Sequence, residues 1–195
     1  MIGEGRLRLR PLEEGDLERT RAWVNDPEVA RLVNRVTPVT MLQHREWYQR
    51  LVTDERQVVF AVEVQPDGTH IGNCGLKGID PRVHKAELWM YLGDRAYWGQ
   101  GYGSEMCRAL CRYGFELLNL HRIHLYVAEY NRAAIRLYES AGFRTEGRLR
   151  DDIFQDGRYR TSLVMGLLRK EFRSRPLPAG PVRRPRTARG GGRRA

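Results

Sequence analysis

Two runs carry the residues best suited to chemistry. They are Tyr97-Trp98-Gly99-Gln100-Gly101-Tyr102-Gly103-Ser104-Glu105 and Asn131-Arg132-Ala133-Ala134-Ile135-Arg136-Leu137-Tyr138-Glu139-Ser140-Ala141-Gly142-Phe143. In the first, Gly99, Gly101 and Gly103 let backbone approach a ligand closely. The helix that begins there offers N–H groups without intrahelical partners and the positive end of its dipole. An anion, in particular a pyrophosphate, is the natural occupant. The run is not a Walker A motif, because Gly103-Ser104-Glu105 lacks the lysine. Nor is it the dinucleotide fingerprint, whose third glycine would fall on Ser104 or Met106. In the second run Asn131 stands at a helix start as an N-cap, and Tyr138 follows about 10 Å along the same face, a span suited to an extended ligand arm. Together the runs suggest a long phosphorylated cofactor held at one end and reacted at the other.

The elements that must position these residues can be read along the chain. Arg6–Arg10 alternates polar and apolar and reads as a half-buried strand ended by Pro11. A helix follows, with Glu13, Glu14 and Asp16 in its first turn, Leu17 and Val24 on one face, and Asn25-Asp26-Pro27 as its close. A second helix spans Thr40 to Thr53, capped by Thr40. Gln57–Val64 and His70–Lys77 read as a hairpin across Pro66-Asp67-Gly68. Lys85–Leu92 is a further strand, with Glu87, Trp89 and Tyr91 on one face and Ala86, Leu88, Met90 and Leu92 on the other. After the glycine run, Met106, Ala109, Leu110, Tyr113 and Leu117 keep a helical period. Ile123–Ala128 is a strand, and Asn131–Ala141 a helix closed by Gly142. Strands at Phe143–Arg150 and Tyr159–Leu168 flank a turn at Asp156-Gly157. This order predicts an α/β (α+β) domain, a mixed sheet with helices on its faces.

The 195 residues and 41% hydrophobic content suit one domain. The net charge of +10 is concentrated at the end: Arg173–Ala195 holds eight Arg and no acid, which leaves residues 1–172 at +2. The chain thus divides into a nearly neutral domain, 1–172, and an Arg/Pro/Gly-rich tail, 173–195, read as disordered. A weak contact of that tail with RNA or ribosomes is the partner its charge allows. Cys74, Cys107 and Cys111 form no CxxC pair, and their odd number fits core packing in a reducing, cytoplasmic setting. The five His show no ligand spacing, so no metal is expected, and no apolar run suggests export or a membrane span.

On the two motifs, the span from about Arg6 to Phe172 resembles the GNAT family of acetyl-CoA-dependent N-acetyltransferases. Within it the chain is most similar to the branch containing ribosomal-protein alanine N-acetyltransferases. The family's phosphate motif, Gln/Arg-x-x-Gly-x-Gly/Ala, falls on Trp98 to Gly103, with Trp98 where Gln or Arg is most common. The resemblance implies a mostly antiparallel sheet with splayed central strands and helices on both faces. It implies acetyl-CoA bound by Trp98, Gly99, Gln100, Gly101, Tyr102, Gly103 and Ser104 at its pyrophosphate and by Asn131 along its arm. Backbone N–H groups near Tyr91 and Leu92 would face the developing oxyanion.

Tyr138 would protonate the leaving thiolate, and Glu87, directly or through water, would take the proton of the incoming amine. The acceptor would meet the early helices and the last hairpin, around Trp23, Asn34-Arg35-Val36-Thr37 and Asp151-Asp152-Ile153-Phe154. Trp23 and Trp47 are also natural core aromatics. The implied function is acetyl transfer to a primary amine on a small molecule or peptide. A protein N-terminus comes first, then an amino sugar (nucleotide-linked), then a polyamine or aminoglycoside. A ribosome- or RNA-binding module and a non-catalytic CoA sensor are the readings from other classes. A monomer or homodimer is expected.

Overall fold

Apolar alternation with period two builds a single sheet in the computed structural model, which describes residues 2–173. Its strands are β1 (Ile2–Glu4), β2 (Leu7–Pro11), β3 (Val58–Val64), β4 (Thr69–Asp80), β5 (Lys85–Leu92), β6 (Arg122–Ala128), β7 (Arg144–Gln155) and β8 (Arg158–Leu168). They lie in the order β1-β2-β3-β4-β5-β6-β8-β7. All neighbours are antiparallel except β5 and β6, which are parallel and pair only at Lys85↔Arg122, Ala86↔Ile123 and Glu87↔His124. Beyond Glu87 the two strands part. The expected mixed, mostly antiparallel sheet with splayed central strands is therefore present, with a short first strand that the alternation did not reveal.

The helices are α1 (Leu17–Asn25), α2 (Pro27–Leu32), α3 (Met41–Thr53), α4 (Tyr102–Arg112) and α5 (Arg132–Ala141). On one face of the sheet α4 buries Met106, Cys107, Ala109, Leu110 and Cys111 against Leu7, Leu9, Val62, Leu76 and Leu88. On the other, Leu51, Trp47 and Tyr48 of α3 cover Val59, Ala61 and Trp89. β3 thus serves both layers, which is why Phe60 and Val62 point one way and Val59 and Ala61 the other. All three cysteines are free and buried, as core packing requires.

Two local readings need correction. Asn25-Asp26-Pro27 closes α1 but does not end the helical region: Asp26 accepts from the N–H groups of Glu28 and Val29 and so caps α2, with Pro27 as its first residue. The α4 pattern also fails at Leu117, which is exposed. A π-helical turn over Tyr113–Leu117 takes more residues per turn than an α-helix and so breaks the 3.6-residue register, and Phe115 rather than Leu117 enters the core. By contrast, Thr40 caps α3 in a reciprocal box with Gln43, and Gly142, at φ 102°, closes α5, as read from the sequence. The tail assigned to 173–195 lies, beyond Arg173, outside the described residues. Among the described residues no helix is long and apolar enough to cross a membrane.

Candidate active site

The cleft opens where β5 and β6 diverge, and the helices that follow these strands begin at its mouth. After β5 the chain makes the loop Asp94–Gly101 and enters α4; after β6 it turns at Tyr130 and enters α5. Gly99 and Gly101 have φ of 70° and 87°, a left-handed conformation that favours glycine, and Gly101 is the N-cap of α4. A Cβ at Gly99 would meet nothing within 4 Å, so this loop is open on that side. The amides of Tyr102 and Gly103 stand in the first turn of α4, where N–H groups lack intrahelical partners. Ser104 N–H already reaches Gly101 O at 3.0 Å.

The motif's side chains do different work from its backbone. Tyr102 is buried in the core, its ring edge-on to Tyr97. Gly103 is needed for close helix packing, since a Cβ there would lie 2.7 Å from Leu137 Cδ1 of α5. Gln100 folds back on its own loop and donates from Nε2 to Ala96 O at 2.5 Å. Trp98 donates its indole N–H to Leu92 O at 3.0 Å, tying the loop to the end of β5. These four residues were expected to bind cofactor; here Tyr102 is buried, Trp98 is tied to the end of β5 and Gln100 to its own loop, so their backbone groups are what they offer a ligand.

A residue missed by sequence reasoning holds this loop in place. Arg6, in the turn between β1 and β2, donates from Nη2 to Gln100 O at 2.9 Å and from Nε and Nη2 to Glu105 Oε1 at 2.8 and 2.5 Å. Its guanidinium carbon lies 4.0 Å from the centroid of the Tyr102 ring. Gly5 adopts φ 56° beneath it, where a Cβ would sit 2.9 Å from Glu105 Oε2. The available signal was the buried position of Glu105 within the helical pattern of α4, which demands a cation from elsewhere.

On the β6 side, Asn131 is the N-cap of α5, its Oδ1 accepting from Ala134 N–H at 3.1 Å. That leaves its amide NH₂ without a protein partner among the described residues. Tyr138, further along α5, is buried with its ring edge-on to Phe143, 5.8 Å between centroids. Its hydroxyl has no protein hydrogen-bond partner among the described residues. Burial, and after it the thiols of Cys107 and Cys111, push the Tyr138 phenol above its usual range, so it is held in the acid form.

Along β5, Gly93 N–H donates to Ile71 O of β4 at 2.9 Å. Regular alternation gives the Tyr91 amide the same side, while that of Leu92 faces the divergence. Tyr91, expected to supply a backbone donor, instead contributes its side chain. Asn73 Nδ2 donates to Tyr91 Oη at 2.9 Å, and Asn73 Oδ1 is 2.8 Å from His70 Nε2, which also lies 3.0 Å from Gly72 O. Facing two acceptors, His70 Nε2 must carry hydrogen, and this fixes the Asn73 amide with its NH₂ toward Tyr91. Burial pushes the His70 imidazole below its usual range, although Asp16 Oδ1 lies 3.3 Å from Nδ1. Burial likewise raises the Tyr91 phenol.

Glu87 shares a face with Trp89 and Tyr91, as expected, but it lies at the last paired position before the strands part. Its carboxylate accepts from Lys77 Nζ at 2.8 Å. Four residues of strand separate it from Tyr91, about 13 Å at about 3.3 Å each.

Trp23 packs edge-on to His70 and Tyr91, with centroids 4.8 and 6.4 Å away, and covers Gly93. Trp47 stacks on His44 at 4.9 Å. Both are half-buried packing aromatics. Asp151 and Asp152 lie in a bulge of β7 that shapes a concavity of about 630 Å³, lined by Arg148, Leu149, Arg150 and the two aspartates. It carries both signs of charge.

The chain matches the acetyltransferase (GNAT) domain over residues 6–144. It is 35% identical to a Bacillus licheniformis N-acetyltransferase, p20, over 86% of this chain and 95% of that protein. It is 28% identical to spermidine N(1)-acetyltransferase of Escherichia coli K12, over 85% of this chain and 88% of that one. Among solved structures, the Vibrio cholerae spermidine N-acetyltransferase in complex with CoA and spermine superposes with a TM-score of 0.81 at 30% identity, covering 85% of this chain and 97% of that one. A sheet parted between β5 and β6, a glycine-rich entry to α4 and an Asn-capped α5 are therefore the parts of a GNAT fold, and the chain belongs to the GNAT acetyltransferase family as an N-acetyltransferase.

Proposed function

We propose that acetyl-CoA is the donor and that acetyl passes directly to a primary amine in the cleft between β5 and β6. The observation that supports this reading is that the two helices following β5 and β6 carry donor groups without a protein partner among the described residues: the first-turn amides of α4, the amide NH₂ of Asn131 and the hydroxyl of Tyr138. The donor set fits the group. Backbone N–H groups at Tyr102 and Gly103 suit a pyrophosphate, the free Asn131 NH₂ suits an amide carbonyl of the arm, and a protonated phenol suits the sulfur end. When bound, acetyl-CoA supplies the activated acyl group. The Leu92 amide, directed into the divergence, donates to the thioester oxygen as charge develops there. Tyr138 would give its proton to the sulfur as negative charge develops there; because a phenol is a weaker acid than a thiol, the transfer is uphill and is coupled to cleavage of the C–S bond.

Glu87 takes the amine's proton at one remove, through water, because Lys77 holds its carboxylate below the parting of the strands. The test is acetyl-dependent CoA release with amine acceptors. Glu87→Gln is expected to lower kcat/KM at neutral pH and to recover toward the parent value as the pH rises and the free amine loses its own proton. An unchanged pH profile would remove Glu87 from the reaction.

A further inference from the structure

The end of β5 is fixed on the side of β4 and open on the other. Gly72, opposite Leu92 in the register, leaves no room for a side chain, since a Cβ there would lie 2.3 Å from Tyr91 O and 2.9 Å from Leu92 Cα. Just beyond, Gly93 and Asp94 both donate their N–H groups to Ile71 O, at 2.9 and 3.0 Å. Trp23 lies so close over Gly93 that a Cβ would sit 2.0 Å from its ring. Alternation turns both the N–H and the C=O of Leu92 the opposite way, toward the parting, where β6 no longer pairs. The carbonyl of that pair is occupied. Trp98 Nε1 donates to Leu92 O at 3.0 Å.

The same indole stands in the glycine-rich loop. Asp94 caps a 3-10 turn over Arg95–Tyr97 by accepting from Ala96 N–H at 3.0 Å, and Trp98 N–H closes this turn on Arg95 O at 3.1 Å. The turn brings Trp98 back to the strand the chain has just left. The Arg95 guanidinium carbon lies 5.9 Å from the Trp98 ring centroid, and Arg95 Nη1 lies 3.9 Å from Asp26 Oδ2 at the cap of α2. Gly99 follows directly, then Gln100, whose carbonyl Arg6 holds at 2.9 Å, then Gly101, the N-cap of α4. Trp98 therefore joins the glycine backbone to the Leu92–Gly93 peptide. That peptide is held at both ends, its oxygen by Trp98 and its N–H by Ile71 O. Without the indole, Leu92 O would face the parting unpaired and could swing, taking the Leu92 amide with it. Its partial negative charge would also stand against any oxygen that gains charge beside that amide.

We propose that Trp98 is a positioning residue for the acetyl-transfer step: its indole N–H fixes Leu92 so that the Leu92 amide meets the developing oxyanion, and it offsets the charge of Leu92 O on the same side. This rests on the acetyl-transfer reading of the cleft. It gives the Trp98 side chain a task other than contact with the cofactor.

The test is CoA release by the full chain with acetyl-CoA and primary amines. The parent is compared with Trp98→Phe, which keeps a ring beside Arg95 and lacks the donor, and with Trp98→Gln, which restores an N–H donor of similar reach. Trp98 is half-buried, so neither change empties the core. Trp98→Phe is expected to lower kcat about tenfold, the scale of an oxyanion donor displaced rather than deleted. The acetyl-CoA and amine KM values should stay within about twofold and the melting temperature within about 4 °C. Trp98→Gln should recover most of the lost kcat. A Phe variant with kcat within about twofold of the parent would overturn the proposal, as would an equal loss in both variants. So would a raised acetyl-CoA KM at unchanged kcat, which would leave Trp98 a brace of the loop alone, or a fall in kcat that tracks unfolding at the assay temperature. Absence of release by the parent with any amine would overturn the transfer reading itself and this inference with it.

Discussion

Tyr138 shows how a single side chain acquires its role from surroundings. A phenol on a helix face is an ordinary packing residue. Here it is buried beside Cys107 and Cys111, with no protein partner for its hydroxyl among the described residues, and is held protonated. Tyr138→Phe keeps the ring against Phe143 and removes only the proton. We expect kcat to fall about 10²-fold, the scale of general acid catalysis, with acetyl-CoA affinity retained. Equal turnover by the variant in a CoA-release assay would pass the leaving-group role to solvent. The spacing from Asn131 to Tyr138 was legible because it needs only a helix. The amide geometry of Asn73, set by His70 from the neighbouring turn of strand, was not, because it depends on which atoms face each other in the folded sheet.

At the scale of elements, the glycine-rich loop before α4 is held by a residue far from it in sequence. Arg6 is half-buried over Tyr102 and pairs with Glu105, a residue about 8% exposed. Arg6→Ala would leave that carboxylate buried and unpaired and release Gln100 O. The expected cost is about 3–5 kcal/mol of stability, with a raised acetyl-CoA KM and a smaller effect on kcat. Denaturant unfolding and steady-state kinetics check both. If stability falls but the acetyl-CoA KM does not, Arg6 braces the fold without shaping the loop. The glycine pattern disclosed the loop because left-handed backbone at Gly99 and Gly101 is a local property. Gly103 answers instead to Leu137 of α5, a contact that exists only after two helices pack.

The whole molecule carries its pH dependence in histidines that the fold buries. Burial lowers His44, His70 and His124 from an ordinary 6.5, with nearby arginines adding to the effect at His44. As pH falls through 6.5 the unfolded chain binds protons that the folded chain still refuses. Stability is therefore full above this value and declines as pH drops toward the depressed folded values. Melting temperature should decrease from pH 7.5 to 5.5, and a flat profile would mean that these imidazoles titrate alike in both states. His44, 5% exposed, 2.7 Å from Thr20 Oγ1 and stacked on Trp47, is the clearest contributor.

The sequence by itself determined the element order apart from β1 and α2, the glycine entry to α4, the Asn131 cap and the Gly142 stop. Each of these rests on backbone preferences and spacings that act within a few residues. Only the tertiary structure decided that β5 and β6 part after Glu87, that Lys77 holds Glu87, that Arg6 braces the loop, and that Asn73 joins His70 to Tyr91. Those facts join segments separated by tens of residues, and side-chain chemistry at such separation is fixed by sheet register and helix packing, which no local pattern encodes.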